Sequence, residues 1–167
     1  MPELQDPKKG ADPHAAQAIA VLGQFRLIFK SVRKHFRSVE ESAGVSGAQL
    51  WVLSEVAKKP GLRVTELARA MSIHQSTASN LIERLEREGH IERRRDLADQ
   101  RVVRLFLTPA ARRAVAKAPG PAEGVLPDAL KRLSTEDLVA LGKHLFKLTS
   151  LLRVRDASGK KTPLSEI

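Results

Sequence analysis

Hydrophobic residues between positions 14 and 41 recur every three or four residues, the period of an α-helix with one apolar side. Gly44 follows this stretch and predicts its end. Near the other end of the chain, leucines show the same spacing after a capping pair, Ser134 and Asp137. Both terminal helices therefore carry an apolar stripe that needs a partner surface. The stripe residues are Leu22, Phe25, Phe29, Val32 and Phe36 in the first helix and Leu141, Leu145, Leu148 and Leu152 in the last.

Two helices joined by a short turn are predicted in the middle of the chain. The second begins near Gln75 and ends at Gly89, and its apolar residues follow the i, i+3, i+4, i+7 pattern of a buried face. Its other face carries short polar side chains, which can reach base edges or phosphates without filling a major groove. The pair therefore predicts a helix-turn-helix. Its predicted DNA contacts are Gln75, Ser76, Thr77, Ser79 and Asn80.

After Gly89 the hydrophobic period changes to strict alternation, which predicts a β-hairpin of residues 91–95 and 102–107 with a polar turn between them. The hairpin collects several arginines, and such a cluster favours an anionic partner. An arginine at the tip suits the minor groove, where the negative potential is focused. Asp99 is expected to hold Arg101 in that position by an ion pair. The predicted DNA contacts of this wing are Arg93, Arg95, Asp99, Arg101 and Arg104.

Each of these patterns also has a simpler structural interpretation. Helix pairs of this kind occur in ordinary bundles, and the arginine run can be a solvated strand with Glu92 and Asp96 as local partners. The two terminal stripes can pack on each other within one chain, or they can be buried by pairing across a two-fold axis. The residues alone leave these alternatives open.

Composition and charge narrow the class of protein. The chain has 167 residues, no cysteine and a formal charge of +10, which excludes a disulfide framework and favours nucleic acid over a membrane as partner. Residues 63–104 carry nine Lys or Arg against seven Asp or Glu, so charge does not locate the DNA contacts. The histidines lack metal-ligand spacing, and no phosphate loop or nucleophile elbow occurs, so we predict no metal, cofactor or enzymatic activity. No apolar run could span a bilayer and no signal peptide is recognisable, which predicts a cytoplasmic protein.

Two stretches resemble the MarR (multiple antibiotic resistance regulator) family. Residues 76–93 resemble its recognition helix and first wing strand, and residues 99–109 resemble its wing, with the Asp-x-Arg tip at Asp99 and Arg101. The resemblance implies a homodimer with interlocked terminal helices and two winged lobes on successive major grooves of a pseudo-palindrome. It also implies that Arg101 enters the minor groove, oriented by Asp99.

Members of that family often bind a small aromatic or anionic effector between the lobes and the dimer helices. Trp51, His35 and Phe36 are candidates to approach such a cavity, although core or surface positions are the simpler expectation. The lack of cysteine excludes the thiol oxidation that some relatives use as a signal.

The predicted fold is mainly α-helical with a small β-hairpin wing. We divide the chain into a disordered arm (1–13), an N-terminal dimerisation helix (14–44), a winged helix-turn-helix lobe (46–108), C-terminal helices that complete the dimerisation domain (109–154) and a polar tail (155–167). Prolines and glycines interrupt the helix after the wing at residues 118–124, whereas this helix is long in many relatives.

The predicted function is that of a ligand-responsive repressor that binds a pseudo-palindromic operator as a homodimer, with double-stranded DNA as its partner. Two other functions fit the same sequence. One is a winged-helix module whose arginines meet an acidic protein, and the other is an architectural protein that binds DNA of any sequence.

Overall fold

The computed structural model describes residues 12–152 and 158–166. Within these ranges the chain forms seven α-helices, one two-stranded sheet and two short 3₁₀ turns. Their order confirms the predicted winged helix-turn-helix. The elements are α1 Pro13–Ala43, α2 Gly47–Lys58, α3 Val64–Ala70, α4 Gln75–Arg87, β1 Ile91–Arg95, β2 Val103–Leu107, α5 Pro109–Lys117, α6 Val125–Lys131, α7 Thr135–Leu151 and the 3₁₀ turns Ser158–Lys161 and Leu164–Glu166.

Helix α1 begins earlier than the predicted boundary of the N-terminal arm. The Asp12 carboxylate accepts a hydrogen bond from the backbone N–H of His14 (3.0 Å), and Pro13 occupies the first turn. Both residues therefore start the helix instead of ending an arm, and residues 1–11 of that arm lie outside the described residues. The predicted end is confirmed, because Gly44 closes the helix with a φ of 69°.

The core of the chain lies in the winged lobe, between α2, α3, α4, the hairpin, α5 and the C-terminal end of α1. Helix α2 opens with the predicted capping box: the Ser46 hydroxyl accepts from the Gln49 N–H (3.3 Å), and the Gln49 side chain accepts from the Ser46 N–H (2.8 Å). The apolar face of α4 is buried as predicted. The largest fully buried side chains of the chain are Leu50, Leu53, Leu67, Ile82, Leu85, Leu105, Val39, Val52 and Val56.

A left-handed glycine turns the chain from α4 into the hairpin. Gly89 has a φ of 74°, its N–H donates to the Glu86 carbonyl (3.0 Å), and the His90 N–H donates to the Leu85 carbonyl (2.8 Å). These bonds form a Schellman motif, which a residue with a Cβ adopts only with strain. The strands that follow pair antiparallel, with Ile91 opposite Leu107, as the alternating pattern predicts.

The helix after the wing is broken where the sequence predicts it. The Thr108 hydroxyl caps α5 by accepting from the Ala111 N–H (3.2 Å), and α5 ends at Lys117. The backbone is extended at Ala118, and Gly124 has a φ of 102° before α6 begins. Helix α7 then extends away from the lobe, and all of its residues are exposed.

Residues 158–166 of the predicted polar tail contact the rest of the chain, whereas residues 155–157 and 167 lie outside the described residues. The segment packs against the start of α2, with Pro163 buried and the Ser165 hydroxyl accepting from the Ala48 N–H (2.9 Å). It docks because the first turn of a helix leaves backbone N–H groups without intrahelical partners, and a serine beside a proline supplies both an acceptor and an apolar contact. None of the helices in the described ranges is long and apolar enough to cross a membrane.

Candidate nucleic-acid interface

Helix α4 presents a polar face to solvent at its first two turns. All five predicted contact residues lie here: Gln75, Ser76 and Asn80 are exposed, and Thr77 and Ser79 are half-buried. The buried side of α4 packs into the lobe core, which sets the direction of the polar face. The far end of α4 is tied to the start of α2.

That tie is a hydrogen bond in which the Gln49 side-chain amide donates to the Glu88 carboxylate (2.6 Å). Gln49 therefore both completes the α2 capping box and positions α4. The spacing of Ser46 and Gln49 predicts the capping box from the sequence. The bond from Gln49 to Glu88 depends on how α2 and α4 pack and could not be predicted in this way.

The hairpin is anchored to the loop between α2 and α3. The Gly61 N–H donates to the Leu105 carbonyl (2.9 Å), and the Leu105 N–H donates to the Leu62 carbonyl (3.1 Å). Leu62 thereby acts as a short third edge of the sheet. This anchor fixes the root of the wing, so only its distal part projects from the lobe.

Arg104 belongs to this anchor, and its predicted role in DNA contact is not supported by its surroundings. Its guanidinium forms an ion pair with Asp96 and donates to the Gly61 carbonyl (3.2 Å). The Arg104 guanidinium, aided by the backbone N–H groups of Ala98 and Asp99, holds the pKa of the Asp96 carboxyl below its ordinary value. Arg104 therefore positions the wing from within the chain.

Two more wing arginines are occupied by local partners. Arg93 pairs with Glu86 of α4 (2.9 Å), and Arg94 pairs with Glu92 (2.7 Å). The Arg94 guanidinium also lies 4.7 Å from the centre of the Phe106 ring. The interpretation of the arginine run as locally paired thus holds for part of the run, with Glu92 and Asp96 as the partners it named.

Arg95 and Arg101 differ from these three because both side chains are exposed and neither has an ion-pair partner within residues 12–152 and 158–166. The expected ion pair between the side chains of Asp99 and Arg101 does not form in the structure. The Asp99 carboxylate instead accepts from the backbone N–H of Arg101 (3.0 Å), because the tight turn brings that amide to the carboxylate. Asp99 therefore shapes the tip and leaves the Arg101 guanidinium free to extend.

The two terminal stripes do not bury each other within one chain. Leu22 and Phe29 of α1 and the four stripe leucines of the last helix remain exposed, and Phe25, Val32 and Phe36 are half-buried. Helices α1, α6 and α7 instead border an open apolar cleft of about 530 Å³, lined in part by Phe25, Leu126 and Leu145. The alternative of packing within one chain is therefore not realised.

Of the three candidates for an effector cavity, Phe36 and Trp51 line one of about 150 Å³ between α1, α2 and the turn before α4. His35 is buried beside Phe36, with ring centres 5.9 Å apart, and does not line that cavity. Burial lowers the pKa of the His35 imidazole. In the part of the chain that the structure describes, no group of three or more His, Asp or Glu residues could hold a metal ion.

A helix pair with an exposed polar face, followed by an anchored β-hairpin, defines a winged helix-turn-helix protein. A family model described as "MarR family" matches residues 43–102, which cover this lobe. Over this lobe the chain is thus similar to the MarR family of winged-helix transcriptional regulators.

Individual relatives agree with this assignment. The HTH-type transcriptional repressor MdtR of Bacillus subtilis (strain 168) is 33% identical over 81 residues, 48% of this chain and 52% of MdtR. The chain thus spans about half the length of this relative. Among solved structures, the YusO protein from Bacillus subtilis is 25% identical with a TM-score of 0.50, covering 84% of this chain and 99% of that one. The S. aureus MepR F27L mutant, bound to an oligodeoxyribonucleotide, is 24% identical with a TM-score of 0.50, covering 79% and 97%.

Proposed function

We propose that this chain is a sequence-specific DNA-binding transcriptional repressor that acts as a homodimer on a pseudo-palindromic operator and is released by a small ligand. The observation that carries the proposal is the exposed polar face of α4 together with Arg95 and Arg101 on the hairpin directly after it, two arginines that have no ion-pair partner among the described residues. Short polar side chains read base edges in a major groove, and cations at a hairpin tip meet phosphates or a minor groove.

The exposed state of α7 supports the homodimer. This seventeen-residue helix is rich in leucine but buries none of its residues, whereas the helices of proteins owe most of their stability to burial of an apolar face. A second copy that placed its terminal helices in the cleft between α1 and α7 would bury the parts of both stripes that line this cleft. A dimer would also carry two recognition helices, which suits an operator with two half-sites.

The relatives support the direction of regulation and the nature of the partner. MdtR is named a transcriptional repressor, and the MepR mutant was solved with an oligodeoxyribonucleotide. Both properties belong to those proteins, and we extend them to this chain as part of the proposal. A reporter gene placed after the bound site should be expressed less in the presence of the chain.

The ligand part of the proposal is supported by a cleft of about 710 Å³ on the inner side of α1. Phe29 and Phe36 give this cleft an aromatic wall. Its charged lining residues are Arg33, Arg37 and Glu40, so the lining has a net positive charge. Rings next to guanidinium groups suit a small aromatic carboxylate. Benzoate should therefore weaken DNA binding while acetate, with the same charge and no ring, leaves it unchanged. Equal effects of the two acids would contradict this part.

The wing is tested by Arg101→Ala in binding assays with duplex DNA from the region that flanks its own gene. The change removes one cation from each wing of a dimer, so the slope of log affinity against log salt should become shallower by about 2. The matched control is Arg132→Ala, an exposed arginine that follows α6 and pairs with Asp128 (3.0 Å). Unchanged affinity for Arg101→Ala at moderate salt would refute the wing contact.

The recognition helix is tested separately by Asn80→Ala and Gln75→Ala. These amides can pair with adenine in the major groove, so their loss should lower the preference for the operator over random duplex by about 1–3 kcal/mol per contact. Equal affinity of the wild-type chain for both duplexes would favour the architectural role. Failure to bind any duplex, together with salt-dependent binding to an acidic protein, would favour the interaction module.

A further inference from the structure

The C-terminal segment, residues 158–166, lies against both the N-terminal helix α1 and the winged lobe. It lines the 150 Å³ cavity together with Phe36 of α1 and Trp51 of α2. The turn between α3 and α4, residues 71–73, forms another wall of the same cavity. The segment therefore lies between α1 and the winged lobe, although the sequence predicts only a polar tail.

Its first contact is with the start of α2. The Ser165 hydroxyl accepts from the Ala48 N–H (2.9 Å), one of the backbone donors that a helix cannot satisfy within its first turn. The packing is tight at the preceding residue, because a Cβ at Gly47 would lie 2.6 Å from Cε1 of Phe36 and 3.3 Å from Cβ of Ser165. A glycine at this position thus lets α1, α2 and the C-terminal segment converge.

The second contact reaches the recognition helix. The Glu166 carboxylate lies 3.8 Å from the Arg84 guanidinium of α4, and both side chains are partly exposed. Pro163, between the two 3₁₀ turns, is buried. The contacts of the segment thus include a buried proline, a hydrogen bond to a backbone amide and an ion pair at a partly exposed site.

We propose that residues 158–166 are an intramolecular latch that covers the cavity beside Trp51 and adds to the direct packing of α1 on the winged lobe. When the latch is docked, Ser165 bonds to α2 and Glu166 pairs with α4. The same segment therefore contacts both helices, and the lobe keeps one orientation relative to α1. When the latch is released, the Ala48 amide loses its acceptor, Trp51 loses one wall of its cavity, and the lobe gains freedom to move.

The latch is tested on the free 167-residue chain by amide hydrogen exchange with Ser165→Ala. The Ala48 amide should exchange about five- to tenfold faster than in the wild type, the factor expected for one hydrogen bond. The amides of the buried face of α4 should keep their protection, which separates local release from global unfolding. Ser150→Ala is the matched control, because the Ser150 hydroxyl donates only within α7, to the Phe146 carbonyl (2.9 Å).

A second readout uses Trp51, the single tryptophan of the chain. Deleting residues 158–167 should increase the quenching of its fluorescence by acrylamide, and Ser165→Ala should increase it less. The latch is refuted if Ser165→Ala leaves the exchange of the Ala48 amide at the level of Ser150→Ala, or if the deletion leaves Trp51 quenching unchanged.

A third readout rests on the proposed function. If the docked latch fixes the distance between the two lobes of a dimer, the deletion variant should tolerate operators whose half-site spacing is altered by one or two base pairs better than the wild type does. Equal spacing preference in the two proteins would contradict a role of the latch in lobe orientation. If neither protein binds duplex DNA, the proposed function fails, whereas the exchange and quenching results still decide whether the latch exists.

Discussion

Apolar side chains are buried to a much greater extent in the winged lobe than in the two terminal helices of this chain. In the lobe, Leu53, Ile82 and Leu105 are completely buried. In the terminal helices, Phe29 of α1 is 64% exposed and Leu151 of α7 is 81% exposed. The lobe thus has its own core within one chain, whereas the terminal helices have an apolar surface that one chain leaves open. In the proposed homodimer, the second copy would therefore cover the terminal helices and not the lobe.

The largest effect should come from a charge placed in the open stripe of α7. Leu145 borders the apolar cleft, and Leu145→Glu would bury an unpaired carboxylate twice in a two-fold interface. At about 3–5 kcal/mol for each buried charge, the dimer should dissociate at micromolar concentration in analytical ultracentrifugation while the lobe stays folded. Lys143→Glu, away from that cleft, is the control. A variant Leu145→Glu that sediments like the wild type would show that α7 does not form the interface.

The next effect tests the lobe as an independent unit. Leu53→Ala removes a fully buried side chain and should lower the free energy of unfolding by about 2–5 kcal/mol in urea denaturation. The same substitution at Leu97, which is fully exposed in the wing, should change it little. If Leu53→Ala reduced dimer association as strongly as lobe stability, the lobe core and the surface of the terminal helices would not be independent.

A smaller effect is expected at the boundary between the two regions. Ser46→Ala removes the capping hydroxyl of α2 and should cost about 1 kcal/mol of lobe stability. Ser31→Ala, at an exposed position within α1, should cost less, since that side chain caps no helix. Thermal unfolding measures both. Equal losses in the two variants would mean that the cap contributes nothing to the lobe.

The smallest effect is the pH dependence of the wing. The pKa of Asp96 is held below its ordinary value of 3.8 by Arg104, so the ionised carboxylate supports the wing at neutral pH. Because the folded pKa is the lower one, this support is complete above the ordinary value and is lost as the pH falls through the depressed one. The Ala98 and Asp99 amides, which donate to Asp96, should lose protection only in strong acid. Protection lost already near pH 5 would contradict the assignment, and Asp96→Asn should abolish the pH dependence.

Local signals in the sequence predict most of the elements correctly. The capping box at Ser46, the glycine at position 89 and the alternation after it each act within a few residues, so they are visible without knowledge of the fold. The arginines of the wing show the limit of this approach. Five of them form one cluster in the sequence, but Arg93 finds its partner on α4 and Arg104 finds a carbonyl in the loop before α3.

The sequence by itself determined the helix boundaries, the hairpin and the apolar stripes of this protein, because hydrophobic period, caps and turn residues act over short distances along the chain. Only the tertiary structure decided which wing arginines remain free, that Asp99 holds the backbone of Arg101 and not its guanidinium, and that residues 158–166 dock beside Trp51. The docking of residues 158–166 depends on contacts between residues far apart in the sequence, such as Ala48 with Ser165, and the residues around either partner give no sign of it. The bond from the Arg101 N–H to Asp99 is local, but whether the carboxylate accepts from that amide or pairs with the guanidinium depends on the geometry of the turn. The hairpin with Arg101 at its tip thus remains the proposed DNA contact. Arg95 is the other wing arginine without an ion-pair partner in the described ranges, and Arg104 is part of the wing's support.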